Sequence, residues 1–322
     1  MTNFSQLDVR GGLQHLVSID GLPTDLIRQL LDRAEHYLRR PGDPAPHSRE
    51  LEGLTIANIF SEPSTRTRAS FEVAGKRLGA DVINLDLMLS SRAKGETILD
   101  TVHTLEAMQV DVFVIRDAQS GVPQYVAENV RSHVSVLSAG EAHVSHPTQG
   151  LLDALTIRQF KGGFRDLVVA IAGDIRHSRV ARSTAQTLMA LGVGELRLVA
   201  PPELMPEPDD FPGLRRIESL DDGIDHADVV MMLRIQRERM TEARLPDPET
   251  YFSHWGLTRE RLRRARHEAI VMHPGPMNRG VEIASEVADG PQSVIRQQVT
   301  NGVAVRMAVL SQIAADRRKR GA

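Results

Sequence analysis

The sequence predicts an α/β protein of two domains, each a parallel sheet sandwiched by helices, with an active site in the cleft between them. Three observations carry this expectation. The chain has 322 residues, more than one domain of ordinary size. Short β-favouring runs alternate with stretches of helical period along most of it, and a parallel sheet needs that alternation because each strand requires a crossover to reach the next. Polar and basic residues gather directly after the apolar runs, at the carboxyl ends of strands, where open parallel sheets hold ligands.

The first twenty residues show no strong period. From Thr24 onward, Ile27, Leu30, Leu31, Ala34 and Leu38 recur on one helical face. A Pro-rich loop, RRPGDPAPHSRE, follows at 39–50. Leu54 to Phe60 (LTIANIF) predicts a strand, SEPSTRTR at 61–68 a turn, and Phe71, Ala74, Gly75 and Leu78 a helix ending at Gly79. Next come a strand at Ala80 to Asp86, a polar loop, a helix carrying Ile98, Val102, Leu105 and Met108, and a strand at Val110 to Arg116. A short helix at Pro123 to Val130, a strand at His133 to Leu137 and a helix at Leu151 to Phe160 close the first series, and KGGFRD at 161–166 reads as a boundary. The second series has strands at Leu167 to Ala172, Leu196 to Ala200, Val229 to Leu233 and Ile270 to Met272, with a helix carrying Val180, Thr184, Leu188 and Leu191. A last helix carries Val303, Met307, Leu310 and Ala314 and runs into a basic tail.

Composition narrows the class. Hydrophobic residues make up 41% and charged residues 25%, the balance of a globular protein. With 39 basic against 42 acidic side chains the formal charge is −3, which gives no reason to expect a nucleic acid or a membrane surface as partner. The absence of cysteine excludes disulfides, thiolate metal sites and a cysteine nucleophile. The start of the chain lacks a basic segment followed by an apolar one, and no run reaches about 18 apolar residues. A soluble, cytoplasmic protein is expected.

The strand-end loops carry the chemistry. In SEPSTRTR, Ser64 and Thr65 suit a helix N-cap, so the first-turn N–H groups, with Arg66 and Arg68 beside them, make an anion site or an ordinary cap with solvated arginines. SSRAKGET, at 90–97, adds Arg92 and Lys94 on a loop that reaches an anion or stays solvated. Arg116 ends a buried strand, facing the ligand edge or a surface ion pair. HPTQ places His146 and Gln149 on a loop before the helix at Leu151, and both can hydrogen-bond a carbonyl group. His143 and His146 are three apart, but no third ligand completes a metal site. VAIAGDIRHSRV has one glycine where a dinucleotide fingerprint needs three, which disfavours a nicotinamide cofactor. There Arg176 and Arg179 fit carboxylate binding or helix-surface ion pairs, and Arg234 and Gln236 repeat the logic after the next strand. HPGPMNRG, at 273–280, is a rigid turn whose backbone can meet a ligand.

Together STRTR followed by SFE, Lys94 before GET, HPTQ before a helix, GD followed by Arg179, RxQ at 234–236 and HPGP closely resemble catalytic chains of the aspartate/ornithine carbamoyltransferase superfamily, in the same order from about Leu51 to Leu310. STRTR and HPTQ are common to the superfamily. The Ser90 and Lys94 loop, RxQ and HPGP resemble the aspartate branch, whereas ornithine enzymes typically carry HCLP at the last motif. Where some relatives have Leu before the second proline of that motif, this chain has Gly275, a change that a backbone contact tolerates.

The resemblance implies transfer of a carbamoyl group from carbamoyl phosphate to the α-amine of L-aspartate, in pyrimidine synthesis, with no cofactor and no metal. Residues 1–150, completed by a C-terminal helix at 298–322, would bind carbamoyl phosphate, and residues 151–297 would bind aspartate. Ser64, Thr65, Arg66 and Thr67 would hold the phosphate. Thr67, Arg116 and His146 would polarise the carbonyl oxygen, and Gln149 with the backbone at Gly275 and Pro276 would hold the carbamoyl amine. Lys94, Arg179, Arg234 and Gln236 would meet aspartate. Family members form a catalytic homotrimer, so Ser90 and Lys94 would reach the phosphate from a neighbouring chain. Regulatory chains or a dihydroorotase partner would be sought at the unpatterned N-terminus. The alternatives are a carbamoyltransferase acting on ornithine or another amino acid, or a silent anion-binding assembly subunit.

Overall fold

A computed structural model describes residues 4–39, 42–86, 96–236 and 247–321 of the chain. The chain divides into two compact units, Met1–Leu152 with Thr300–Ala322, and Asp153–Val299. The division falls inside a helix, upstream of Lys161 to Asp166.

In the first unit, α1 (Thr24–Tyr37) buries Leu26, Ile27, Leu30, Leu31 and Ala34, the stripe set by its apolar spacing. Next come β1 (Thr55–Phe60), α2 (Thr65–Arg77), β2 (Asp81–Asp86), α3 (Ile98–Ala107), β3 (Val112–Asp117), α4 (Val122–Asn129), β4 (Ser135–Glu141) and α5 (Pro147–Lys161). The strands make one parallel sheet in the order β2-β1-β3-β4. Ala57 and Ile59 of β1, Phe113 and Ile115 of β3 and Val136 of β4 share a core with Val102 and Leu105 of α3 and Val126 of α4. Burial on both faces explains why β3 reads as a continuous apolar run.

The amino ends of β1 and β3 are tied together. Asp111, just before β3, accepts the Thr55 N–H at 2.8 Å and pairs with Arg317 at 2.6 Å, with both charges largely buried. The segment before α1, featureless as a pattern, is held by particular polar contacts: Leu13 N–H donates to Asp316 at 2.9 Å, Arg320 pairs with Asp8 at 2.9 Å, and Val136 N–H donates to His15 Nδ1 at 3.1 Å.

The second unit follows the same plan. It contains β5 (Val168–Ala172), α6 (Arg179–Ala190), β6 (Glu195–Val199), β7 (Arg215–Ile217), α7 (Leu220–Ile224), β8 (Val229–Met232), α8 (Pro248–Trp255), α9 (Arg259–Leu262), β9 (Ile270–Met272), α10 (Ser285–Ala288) and the start of α11 (Ile295–Arg320). Its sheet is parallel, in the order β7-β6-β5-β8-β9. Ala170, Ala172, Val230, Met232 and Val271 from the sheet pack with Leu220, Ile224, Leu262 and Val287 from the helices. Strand β7 escapes sequence reading because two of its three residues are exposed arginines on a sheet edge, where no apolar pattern is required. Most of α11 belongs to the first unit, where Val305, Met307, Ala308, Val309, Leu310 and Ile313 are buried. Among the described residues no helix is long and apolar enough to cross a membrane.

Candidate active site

In the first sheet the strand order reverses between β1 and β3, the point at which a parallel sheet opens a crevice at its carboxyl edge. SEPSTRTR and Arg116 emerge there side by side. Phe60 is in register with Arg116, and Ser61 donates from its N–H and Oγ to the Arg116 carbonyl at 2.9 and 3.2 Å. The Arg116 side chain is largely buried, with Nε donating to Glu62 at 3.2 Å and Nη1 to the Ala139 carbonyl on β4 at 3.3 Å.

Helix α2 then begins with Ser64 at the N-cap, but the Ser64 side chain makes no capping hydrogen bond and no acidic residue sits in the first turn. By contrast, α3 is closed by a Thr97 and Asp100 capping box. The amino end of α2 thus keeps donors and partial positive charge suited to an anion, with Arg66 exposed beside it and Thr67 buried. Arg68 contributes positive charge to the surroundings of Glu72, whose carboxyl is held below its usual range first by the Lys76 hydrogen bond and then by that of Asn84.

HPTQ differs from its expected placement on a loop. Pro147 opens α5, a position where proline costs no hydrogen bond, so Thr148 and Gln149 lie in the first helical turn and Gln149 N–H donates to the His146 carbonyl at 2.9 Å. His146 and Gln149 are buried, whereas His143 is exposed. Among the described residues no group of three His, Asp or Glu side chains is placed to hold a metal. Ser90, Arg92 and Lys94 lie outside the described residues.

In the second sheet the strand order reverses between β5 and β8. Gly173 follows β5 with φ of +122°, and a Cβ there would lie 2.4 Å from the Leu233 carbonyl oxygen, so only glycine lets the chains after β5 and β8 approach this closely. Asp174, fully buried, uses both oxygens: Oδ1 accepts from His177 Nδ1 at 2.9 Å, and Oδ2 accepts the Gln236 N–H at 3.1 Å. Gln236 Nε2 in turn donates to the His177 carbonyl at 3.0 Å. This knot joins the loop carrying Arg179 to the loop carrying Arg234 and Gln236. Arg179 is buried at the start of α6, behind an N-cap at Ser178 that accepts from Ala181 N–H. Arg176 points elsewhere, into an exposed ion pair with Glu207 at 2.9 Å.

After β9, HPGP forms a turn with Gly275 at φ of +68°, Gly275 half-buried and Pro276 exposed. Residues that sequence reading did not single out hold these loops: Glu62 behind Arg116, His177 beside Asp174, and Glu282 beneath the turn. Glu62 sits inside a recognised motif, but nothing local assigns it to Arg116.

Two family descriptions match the sequence. "Aspartate/ornithine carbamoyltransferase, carbamoyl-P binding domain" covers residues 14–159, and "Aspartate/ornithine carbamoyltransferase, Asp/Orn binding domain" covers residues 165–313. The chain belongs to the aspartate/ornithine carbamoyltransferase family. Aspartate transcarbamoylase from Trypanosoma cruzi in complex with N-(phosphonacetyl)-L-aspartic acid is similar at 30% identity and TM-score 0.84, over 93% of this chain and 95% of that one. The same enzyme in complex with carbamoyl phosphate and aspartate matches at 28% identity and TM-score 0.82, over 93% and 96%. Ornithine carbamoyltransferase from Pyrococcus furiosus matches at 26% identity and TM-score 0.82, over 94% and 97%. Membership makes this chain a carbamoyltransferase by family, in a fold that serves both amino-acid acceptors.

Proposed function

We propose that the chain is an aspartate carbamoyltransferase, forming N-carbamoyl-L-aspartate and phosphate from carbamoyl phosphate and L-aspartate as a step of cytoplasmic pyrimidine synthesis. The observation that carries the choice of acceptor is the state of Asp174. An ornithine enzyme needs an acidic group for the second amine, and both oxygens of this carboxylate are already engaged by His177 and Gln236. What its bonds organise instead is a cationic and amide set, Arg179, Arg234 and Gln236, suited to two carboxylates. The similar Trypanosoma cruzi enzyme in complex with carbamoyl phosphate and aspartate supports the reading.

In this reading the first unit takes carbamoyl phosphate. The amino end of α2 receives the phosphate through Ser64, Thr65, Arg66 and Thr67, while Thr67, Arg116 and His146 polarise the carbonyl oxygen. Gln149 and the carbonyls of Gly275 and Pro276 hold the carbamoyl amine. Phosphate is already a good leaving group, so the protein's task is to position two anions and to stabilise the tetrahedral oxyanion as the α-amine attacks the carbonyl carbon. Arg66 stabilises the charge that grows on the phosphate as its bond to carbon breaks, and the departing phosphate accepts the amine proton.

Phosphate release from carbamoyl phosphate, measured with aspartate and with ornithine, tests the proposal. Aspartate-dependent release is expected, and release that depends on ornithine alone would overturn it. A homotrimer with shared sites, in which Ser90 and Lys94 serve a neighbouring chain, predicts that Lys94→Ala and Arg66→Ala chains recover activity when mixed. Verified mixed trimers without recovery would refute the sharing.

A further inference from the structure

Beneath the HPGP turn lies a histidine and carboxylate pair that none of the roles above uses. His273 and Glu282 are both buried, with His273 Nε2 3.1 Å from Glu282 Oε1. Gly275 N–H donates to His273 Nδ1 at 2.8 Å. Because Nδ1 accepts, the ring proton sits on Nε2 and is donated to the carboxylate. The same Glu282 oxygen accepts the Asn278 N–H at 2.6 Å. The pair therefore grips the chain on both sides of Pro276, a residue with no N–H of its own.

The grip is itself anchored. His273 N–H donates to Gln298 Oε1 at 2.9 Å, Gln298 Nε2 donates to Asp153 Oδ1 at 2.9 Å, and Asp153 Oδ2 accepts from Thr184 Oγ1 at 2.7 Å, all buried. Among the described residues no hydrogen bond is donated to the Gly275 or Pro276 carbonyl, two of the three backbone acceptors between the anchor points.

Stability does not explain such a pair. Removing two charged or polar groups from water costs as much as their attraction returns, and apolar residues of like volume would fill the space as well. Glu282 Oε2 is moreover buried without a partner. The engaged oxygen serves the turn alone.

We propose that His273 and Glu282 are positioning residues that fix the directions of the Gly275 and Pro276 carbonyls, and so set the affinity for the amine of carbamoyl phosphate. The inference rests on the assignment of those carbonyls to the carbamoyl amine. Inorganic phosphate, which has no amine to offer the two carbonyls, supplies the internal control.

Binding of carbamoyl phosphate and of inorganic phosphate to the purified full chain, followed by calorimetry, tests this. His273→Gln retains a donor towards Glu282 but loses the acceptor for Gly275, and Glu282→Ala removes both of that residue's bonds. Each is expected to weaken carbamoyl phosphate binding about tenfold while phosphate binding stays within about twofold. Glu282→Gln, whose Oε1 can still accept from both partners, is expected to bind carbamoyl phosphate within about twofold of the parent. Equal changes for the two ligands, or none for carbamoyl phosphate in folded His273→Gln or Glu282→Ala protein, would overturn the positioning role. A parent chain that binds carbamoyl phosphate no better than phosphate would instead overturn the assignment of the carbonyls.

Discussion

Arg116 Nε donates to Glu62 Oε2 at 3.2 Å, so the arginine next to the end of β3 is aimed by a carboxylate from the turn after β1. A guanidinium held by a fixed acceptor loses less freedom when it meets a developing oxyanion. Glu62→Ala is expected to lower kcat for carbamoyl transfer about tenfold or more, and Glu62→Gln, which keeps an acceptor, less. Steady-state kinetics of the two variants check this, and equal losses would show that charge rather than aim is what matters.

Arg66 and Arg234 should fail differently. The charge that Arg66 meets grows as phosphate departs, so Arg66→Ala is expected to lower kcat by about a hundredfold or more with a smaller change in KM. Arg234 meets a carboxylate whose charge is unchanged through the reaction, so Arg234→Ala is expected mainly to raise KM for aspartate, by about tenfold. Near-normal turnover in Arg66→Ala would remove its assigned role.

Gly173→Ala should be severe. Its Cβ would meet the Leu233 carbonyl oxygen at 2.4 Å, on a backbone with φ of +122°. A stability loss above about 2 kcal/mol is expected in urea unfolding, together with weakened aspartate binding as the Asp174 and Gln236 contact shifts.

His15 makes stability depend on pH. Burial, and then the charge of Arg320, lower its pKa from 6.5 to about 4 in the folded protein. The unfolded chain takes up a proton that the folded one refuses, so this contribution is complete above pH 6.5 and is lost as the pH falls towards 4. Between pH 7 and pH 5 the loss is about 2 kcal/mol. His15→Asn, which keeps an acceptor for Val136 N–H but cannot titrate, should unfold with a flatter pH dependence over that interval.

What the sequence revealed divides along physical lines. SEPSTRTR and the strand before it were legible because apolar spacing, a capping residue and two arginines sit within fifteen residues of each other. The purpose of Glu62 was not, since its partner lies on another strand and only register brings Phe60 level with Arg116. HPTQ was recognised by its residues but misplaced, because the proline read as loop is the residue that begins α5. Asp174 was visible among polar residues, yet the link from its second oxygen to Gln236 depends on the adjacency of β5 and β8. The first twenty residues gave no period, and their order comes from single contacts such as Leu13 with Asp316, which no periodic pattern records.

Asp111 has a consequence for how such a protein can change. It ties β1 to β3 at their amino ends through Thr55 and pairs there with Arg317 of α11, whereas Ser61, Glu62 and Arg116 occupy the opposite ends of the same strands. The two ends bear separate demands. Loops at the carboxyl edge can therefore be rewritten for another acceptor while reinforcement is added at the amino edge, which gives laboratory evolution independent handles on specificity and robustness.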